Sequence, residues 1–218
     1  MDNKMIVYEE KLRSHGIVPV IKIEDISVSC KLAETLTNAG LPIAEITFRA
    51  DGAEKVIKQI KQEYPDMLVL AGTVLYIEQI KHAISAGADI IVTPGFNERI
   101  VEYCVKNSIP IIPGCVTPSE IETAMMYGIN VLKYFPAEAM GGTDAIKSLK
   151  GPYDSISFMP TGGINLLNLA DYLSLSNVLA CGGSFLVSDQ RLKDCDWVSI
   201  YEDCIKIKEI VNSVRRKG

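Results

Sequence analysis

Apolar residues recur along the chain in short runs of strand character at 17–21, 44–48, 68–71, 89–92, 110–112, 131–134, 155–159 and 178–181, starting about 20 to 27 residues apart. Between them the apolar spacing changes to the three-and-four repeat of an amphipathic helix, over 28–39, 53–64, 77–86, 98–107 and 119–127. Gly40, Gly87 and Gly128 follow three of those helices at the position where the backbone turns left-handed. Strict alternation of strand and helix with short connections predicts an α/β fold. The type expected is a (β/α)8 TIM barrel forming a single domain over residues 1–218, with an extra N-terminal helix. The first and seventh units carry the weakest pattern. An open doubly wound sheet is the competing architecture, but no G-x-G-x-x-G follows the first strand.

With 48% hydrophobic residues in 218, the chain is long enough to bury a sizeable core without cross-links. Its net charge is -5, and the longest basic cluster, Arg215-Arg216-Lys217, is expected to cap the last helix and not to bind nucleic acid. The start, Met1-Asp2-Asn3-Lys4-Met5, leads into a mixed polar helix instead of an apolar leader, and no window reaches the length of a membrane span. A cytoplasmic location and no membrane partner are therefore expected. Cys30, Cys104, Cys115, Cys181, Cys195 and Cys204 form no C-x-x-C pair and are expected as reduced thiols, several of them buried.

One residue breaks the apolar pattern. Lys133 sits inside Ile129-Asn130-Val131-Leu132-Lys133-Tyr134-Phe135-Pro136-Ala137-Glu138. An amine in such a run must pair with an anion, snorkel to an edge, or stay partly desolvated with a lowered pKa. The last state is the one a Schiff-base nucleophile requires.

In a barrel the polar residues at the C-terminal ends of the strands face the reaction site. Those ends carry Glu45, Thr47 and Arg49 on one parity, then Gly72-Thr73, Thr93-Pro94-Gly95-Phe96, Pro113-Gly114-Cys115, Lys133 with Phe135, Pro160-Thr161-Gly162-Gly163 and Gly182-Gly183-Ser184. Glu45 with Arg49 also reads as an ordinary strand-end ion pair, and the glycines and prolines as turn chemistry. The two Gly-Gly pairs fall after the seventh and eighth strands, where this fold usually binds phosphate. There Asn165 is placed to cap one helix, and Gly182-Gly183-Ser184 is expected to open another helical turn.

The segments Glu45 to Arg49, Ala71-Gly72-Thr73, Val92 to Gly95, Lys133 to Glu138, Pro160 to Ile164 and Gly182-Gly183-Ser184 resemble the KDPG/KHG aldolase family, in order and over nearly the whole chain. That family comprises class I aldehyde-lyases, which cleave 2-keto-3-deoxy-6-phosphogluconate (KDPG), and often 4-hydroxy-2-oxoglutarate (KHG), to pyruvate and an aldehyde. KDPG gives glyceraldehyde 3-phosphate and KHG gives glyoxylate; the first is the Entner-Doudoroff cleavage. The resemblance implies Lys133 as the Schiff-base lysine and Glu45 as the acid/base that works through a bound water. It places Arg49 and Thr73 at the substrate carboxylate, Pro94 and Phe135 against the pyruvate moiety, and Thr161, Gly162, Gly163, Gly183 and Ser184 toward the phosphate. It implies no metal, no cofactor beyond the imine on Lys133, and a homotrimer. Many relatives carry tryptophan and phenylalanine where this chain has Phe185 and Tyr134. By parity Tyr134 points away from the pocket, whereas Phe185 lies beside the phosphate end.

Other functions stay in view. A metal-dependent aldolase needs a His and carboxylate cluster, yet His15 and His82 are the only histidines and both fall in or beside helices. A phosphosugar isomerase or synthase would share the phosphate site without needing Lys133 desolvated. A galactonate-derived substrate is an alternative within the same chemistry, and a non-catalytic sugar-phosphate-binding paralogue lies outside it; the joint presence of Glu45, Arg49, Thr73 and Lys133 argues against the latter.

Overall fold

The structure is a computed structural model and describes residues 3–216. Eight strands alternate with helices: α1 (Asn3–His15), β1 (Ile17–Ile21), α2 (Ser29–Asn38), β2 (Ile43–Thr47), α3 (Ala53–Glu63), β3 (Leu68–Gly72), α4 (Ile77–Ser85), β4 (Ile90–Val92), α5 (Glu98–Lys106) and β5 (Ile111–Ile112). They continue as α6 (Pro118–Met126), β6 (Val131–Tyr134), α7 (Gly142–Leu149), β7 (Ser157–Pro160), α8 (Leu169–Leu173), β8 (Cys181–Gly183), α9 (Asp189–Lys193) and α10 (Trp197–Arg215).

All strand pairs are parallel. Six strands form one sheet in the order β5-β4-β3-β2-β1-β8, and β6 pairs with β7 in a second. Single parallel bridges, Gly114 to Lys133 and Thr161 to Gly182, join the two sheets at both seams. Strands β1, β2 and β3 are buried at every position, as parallel strands covered on both faces must be. The helices cover them with one stripe each: Leu32, Ala33 and Leu36 on α2, Val56, Ile57 and Ile60 on α3, Ile100, Val101 and Cys104 on α5.

Local chemistry sets the boundaries. At α6 the Thr117 hydroxyl and the Glu120 carboxylate cap each other's backbone N–H groups, with Pro118 in the first turn, so the helix begins a residue before the expected 119. At Gly40, Gly87 and Gly128 the paired bonds of a left-handed helix end appear, for instance Gly128 N to Met125 O and Ile129 N to Ala124 O.

Several strand boundaries shift by a residue, and three differences go further. The seventh strand starts at Ser157, because Ile156 N closes a turn on Tyr153 O. The eighth is Cys181–Gly183 and not 178–181: pairing with β1 runs through the glycines, which carry no strand propensity to betray them. After it residues 184–187 form a bend, and α9 starts only at Asp189 with Ser188 as its cap, so no helical turn opens at Gly182-Gly183-Ser184. Arg215 ties the end of α10 to the Val178 and Leu179 carbonyls instead of capping its own helix, while Lys217 lies outside the described residues. Asn165 caps the turn before α8, accepting from Leu167 N and Asn168 N.

Helix α1 packs at the N-terminal ends of the strands, with Leu12 buried and the Tyr8 hydroxyl reaching Asp89 beside β4, which leaves the opposite ends free for a site. All six cysteines are free, four of them buried. Among the described residues no helix is long and apolar enough to cross a membrane.

Gly128 isolates the cost of backbone conformation, because an added Cβ would meet nothing within 4 Å while φ stands at +73°. Gly128→Ala should lose about 1–2 kcal/mol in urea unfolding with activity unchanged; a neutral result would show that the turn relaxes.

Candidate active site

Lys133 and Glu45 meet inside the strands. Lys133 lies on β6 and Glu45 on β2, strands that do not pair, yet Lys133 Nζ donates to Glu45 Oε1 at 3.1 Å and Oε2 at 3.2 Å. Glu45 is fully buried and Lys133 is 4% exposed. Lys133 therefore has an anion beside it and does not snorkel to an edge. Glu45 thus takes Lys133 as its ion-pair partner, and no ion pair joins it to Arg49 among the described residues.

The surroundings are cut to fit this pair. A Cβ on Gly72 would stand 1.9 Å from Glu45 Oε1, so only glycine at the end of β3 leaves room for the carboxylate. The Phe135 ring centroid lies 5.7 Å from Lys133 Nζ, within cation–π range, and the ring is partly open to solvent. The segment after β5 holds β6 by two backbone bonds, Cys115 N donating to Lys133 O and Lys133 N to Pro113 O, fixing the strand that carries the amine. Gly114 sits so close to Pro94 O that a Cβ there would be 2.2 Å away, bringing Pro94 beside this strand end.

The other predicted residues line the same end. Arg49 lies in the turn two residues past β2 and donates from Nε to Thr47 Oγ1 at 3.4 Å. Thr73, directly after β3, has φ +51°, a left-handed conformation that a β-branched residue adopts only when the surroundings enforce it. Thr161 bridges Gly182 across β7 and β8, and Gly162 and Gly163 have φ +100° and +84°. Ser184 follows β8 in solvent. Neither Arg49, Thr73 nor Ser184 hydrogen-bonds the Lys133–Glu45 pair among the described residues. Tyr134 turns away as parity requires, its hydroxyl bonding Met140 O and its ring edge-on to Phe158.

Two features were not legible in advance. Glu138 stitches the loop after β6 to the loop after β7: Ala137 N donates to Thr161 O, Glu138 N to Gly162 O, and the Tyr172 hydroxyl to the Glu138 carboxylate. Burial, then that bond, pushes the Tyr172 phenol up. Lys22, one residue past β1, pairs with Glu24, whose hydrogen bond and charge raise the ammonium while Arg49 opposes the shift. The Glu24 spacing could have flagged the pair; nothing in the sequence placed it near Arg49. His15 closes α1 and His82 lies exposed on α4, and among the described residues no group of three or more His, Cys, Asp or Glu is placed to hold a metal ion.

A family model of KDPG and KHG aldolase matches residues 8–202. The chain belongs to that family. It is similar to a 2-dehydro-3-deoxy-phosphogluconate aldolase of Haemophilus influenzae, 44% identical over 94% of this chain and 96% of the relative. A KHG/KDPG aldolase of Escherichia coli is 38% identical over 90% and 92%. Among solved structures, a KDPG aldolase from Legionella pneumophila, with pyruvate captured at low pH as a covalent carbinolamine intermediate, superposes with a TM-score of 0.88. It is 34% identical and covers 91% of this chain and 97% of that one.

Removing one member of a buried ion pair strands the other, so Lys133→Met and Glu45→Gln should each destabilise by about 3 kcal/mol, while the double variant should lose much less than the sum. Urea unfolding of the four proteins measures this coupling. Additive losses would show that the pair does not hold in solution.

Proposed function

We propose that the chain is a class I aldolase that cleaves 2-keto-3-deoxy-6-phosphogluconate to pyruvate and glyceraldehyde 3-phosphate, and 4-hydroxy-2-oxoglutarate to pyruvate and glyoxylate, through an imine on Lys133. The observation that carries this is the Lys133–Glu45 contact, an amine and a carboxylate buried together in the family's motif. A protonated amine is no nucleophile, and Glu45 is within hydrogen-bond reach to take its proton. Nζ then adds to the C2 carbonyl, and Glu45 returns its proton, through a bound water, to the carbinolamine oxygen; that oxygen leaves as water, giving the protonated imine and a carboxylate again at Glu45. Glu45 next accepts the proton of the C4 hydroxyl as the C3–C4 bond breaks, releasing the aldehyde and leaving an enamine. Returning that proton to C3 gives the pyruvate imine, which water hydrolyses.

Arg49 and Thr73 hold the substrate carboxylate; the guanidinium offers a fork of donors, and its Nε bonds Thr47 at the end of β2. Pro94 and Phe135 wall the pyruvate moiety. The phosphate rests on Gly162, Gly163, Gly183 and Ser184 with Thr161 behind them, supported by the main-chain N–H groups of Gly162, Gly163 and Ser184, which have no protein partner among the described residues outside the strand ladders. No metal enters this scheme.

We also propose that the two sheets close as one (β/α)8 barrel of a single domain with α1 as an added N-terminal helix, supported by the bridges at both seams. Assembly is proposed as a homotrimer, as the family implies, with exposed apolar residues such as Leu75 and Tyr76 available for cover by a second copy. The free cysteines fit work in the cytoplasm.

Pyruvate release from KDPG should be robust in the parent and fall about a hundredfold or more in kcat for Glu45→Gln, with KM little changed. A variant that changes only KM would reduce Glu45 to a binding residue, and a parent without cleavage activity would remove the aldolase assignment for this substrate.

A further inference from the structure

The loop after β8 has little polar support of its own. Ser184 is exposed and Phe185 half-buried, whereas Leu186 and Val187 turn inward and are buried. Among the described residues the main chain of residues 184–187 has a single hydrogen-bond partner, and it is a side chain: Arg191 Nη1 donates to Leu186 O at 2.9 Å. Arg191 also grips the far end of the loop, its own N–H donating to the Ser188 hydroxyl at 3.2 Å.

The guanidinium is itself held. Arg191 Nη2 lies 2.8 Å from Asp203 Oδ2, an aspartate on α10 that is 8% exposed and whose other oxygen accepts from Lys206 Nζ at 2.9 Å. Burial pushes the Asp203 carboxyl up, but the bonds from Lys206 and Arg191 outweigh it and keep the group below its ordinary value, hence charged. A rigid fork that bridges a carboxylate and a carbonyl fixes the direction of both, which a single ammonium cannot do. Leu186 is two residues from Ser184, so the bridge anchors the stretch of chain that carries the Ser184 hydroxyl.

We propose that Arg191, braced by Asp203, is a positioning residue for the phosphate end of the substrate site, acting through the loop that carries Ser184. The inference rests on Ser184 meeting the phosphate, as proposed above.

The test is kcat/KM for KDPG and for 4-hydroxy-2-oxoglutarate, which carries no phosphate, in the parent, Ser184→Ala, Arg191→Met, Arg191→Lys and Asp203→Asn, each checked for folding by circular dichroism. Arg191→Met should lower kcat/KM for KDPG about tenfold or more, mainly through KM, and leave the unphosphorylated substrate within about twofold. Arg191→Lys, which keeps the charge but not the fork, should lose most of the same selectivity; Asp203→Asn should follow in the same direction. If Arg191→Met does not fold, the lysine and asparagine variants decide. Equal losses on both substrates, no loss, or full rescue by lysine would overturn the proposal while a selective Ser184→Ala leaves the serine assignment standing. A Ser184→Ala that affects both substrates alike would remove the serine from the phosphate and the Arg191 proposal with it.

Discussion

A lysine ammonium and a glutamate carboxylate, both out of water and 3.1 Å apart, set the terms for the rest of this structure. Desolvating two charges is costly, and their attraction repays it only when the geometry is good and the remaining polar valences are met. The two residues come from β2 and β6, strands that are not neighbours, so the sheets must curve until their inner faces meet. Gly72 must lack a side chain for the carboxylate to fit. The apolar packing of the strands and helices supplies the stability that lets such a pair persist. On the proposed mechanism the same contact that makes the pair tolerable gives the amine a base to receive its proton, so structure and chemistry make the same demand.

Around that centre the loops divide the labour. Those after β2, β3 and β4 carry Arg49 and the strained Thr73, proposed for the substrate carboxylate, and Pro94, proposed for the pyruvate wall, while those after β7 and β8 carry Ser184 and N–H groups without a partner among the described residues. These outer loops are held by long-range ties: Glu138 and Tyr172 on one side, Arg191 and Asp203 on the other. Positioning by such second contacts keeps reacting groups within the small tolerances that catalysis requires.

The alternation of strands and helices was legible because burial on both faces leaves continuous apolar runs, and β1 and β6 fall where the pattern put them. So was Lys133, since an amine in an apolar strand is conspicuous. β8 was misplaced by the same logic: Gly182 and Gly183 pair with β1 but have no apolar side chain to signal it. Glycine followed by serine suits a helix start and predicts a helical turn opening at Gly182-Gly183-Ser184; the buried Leu186 and Val187 draw the chain inward as a bend instead. The Lys133–Glu45 contact, the space at Gly72 and the Arg191–Asp203 brace span distant parts of the chain, and no local pattern encodes contacts of that range.

The most direct measurement is to incubate the protein with pyruvate and borohydride and map the modified peptide by mass. A reduced pyruvyl adduct on the peptide bearing Lys133, and its loss in Lys133→Ala, is the predicted result. Adduct formation at another lysine, or trapping at the parent level in Lys133→Ala, would contradict the central claim that this buried amine is the nucleophile.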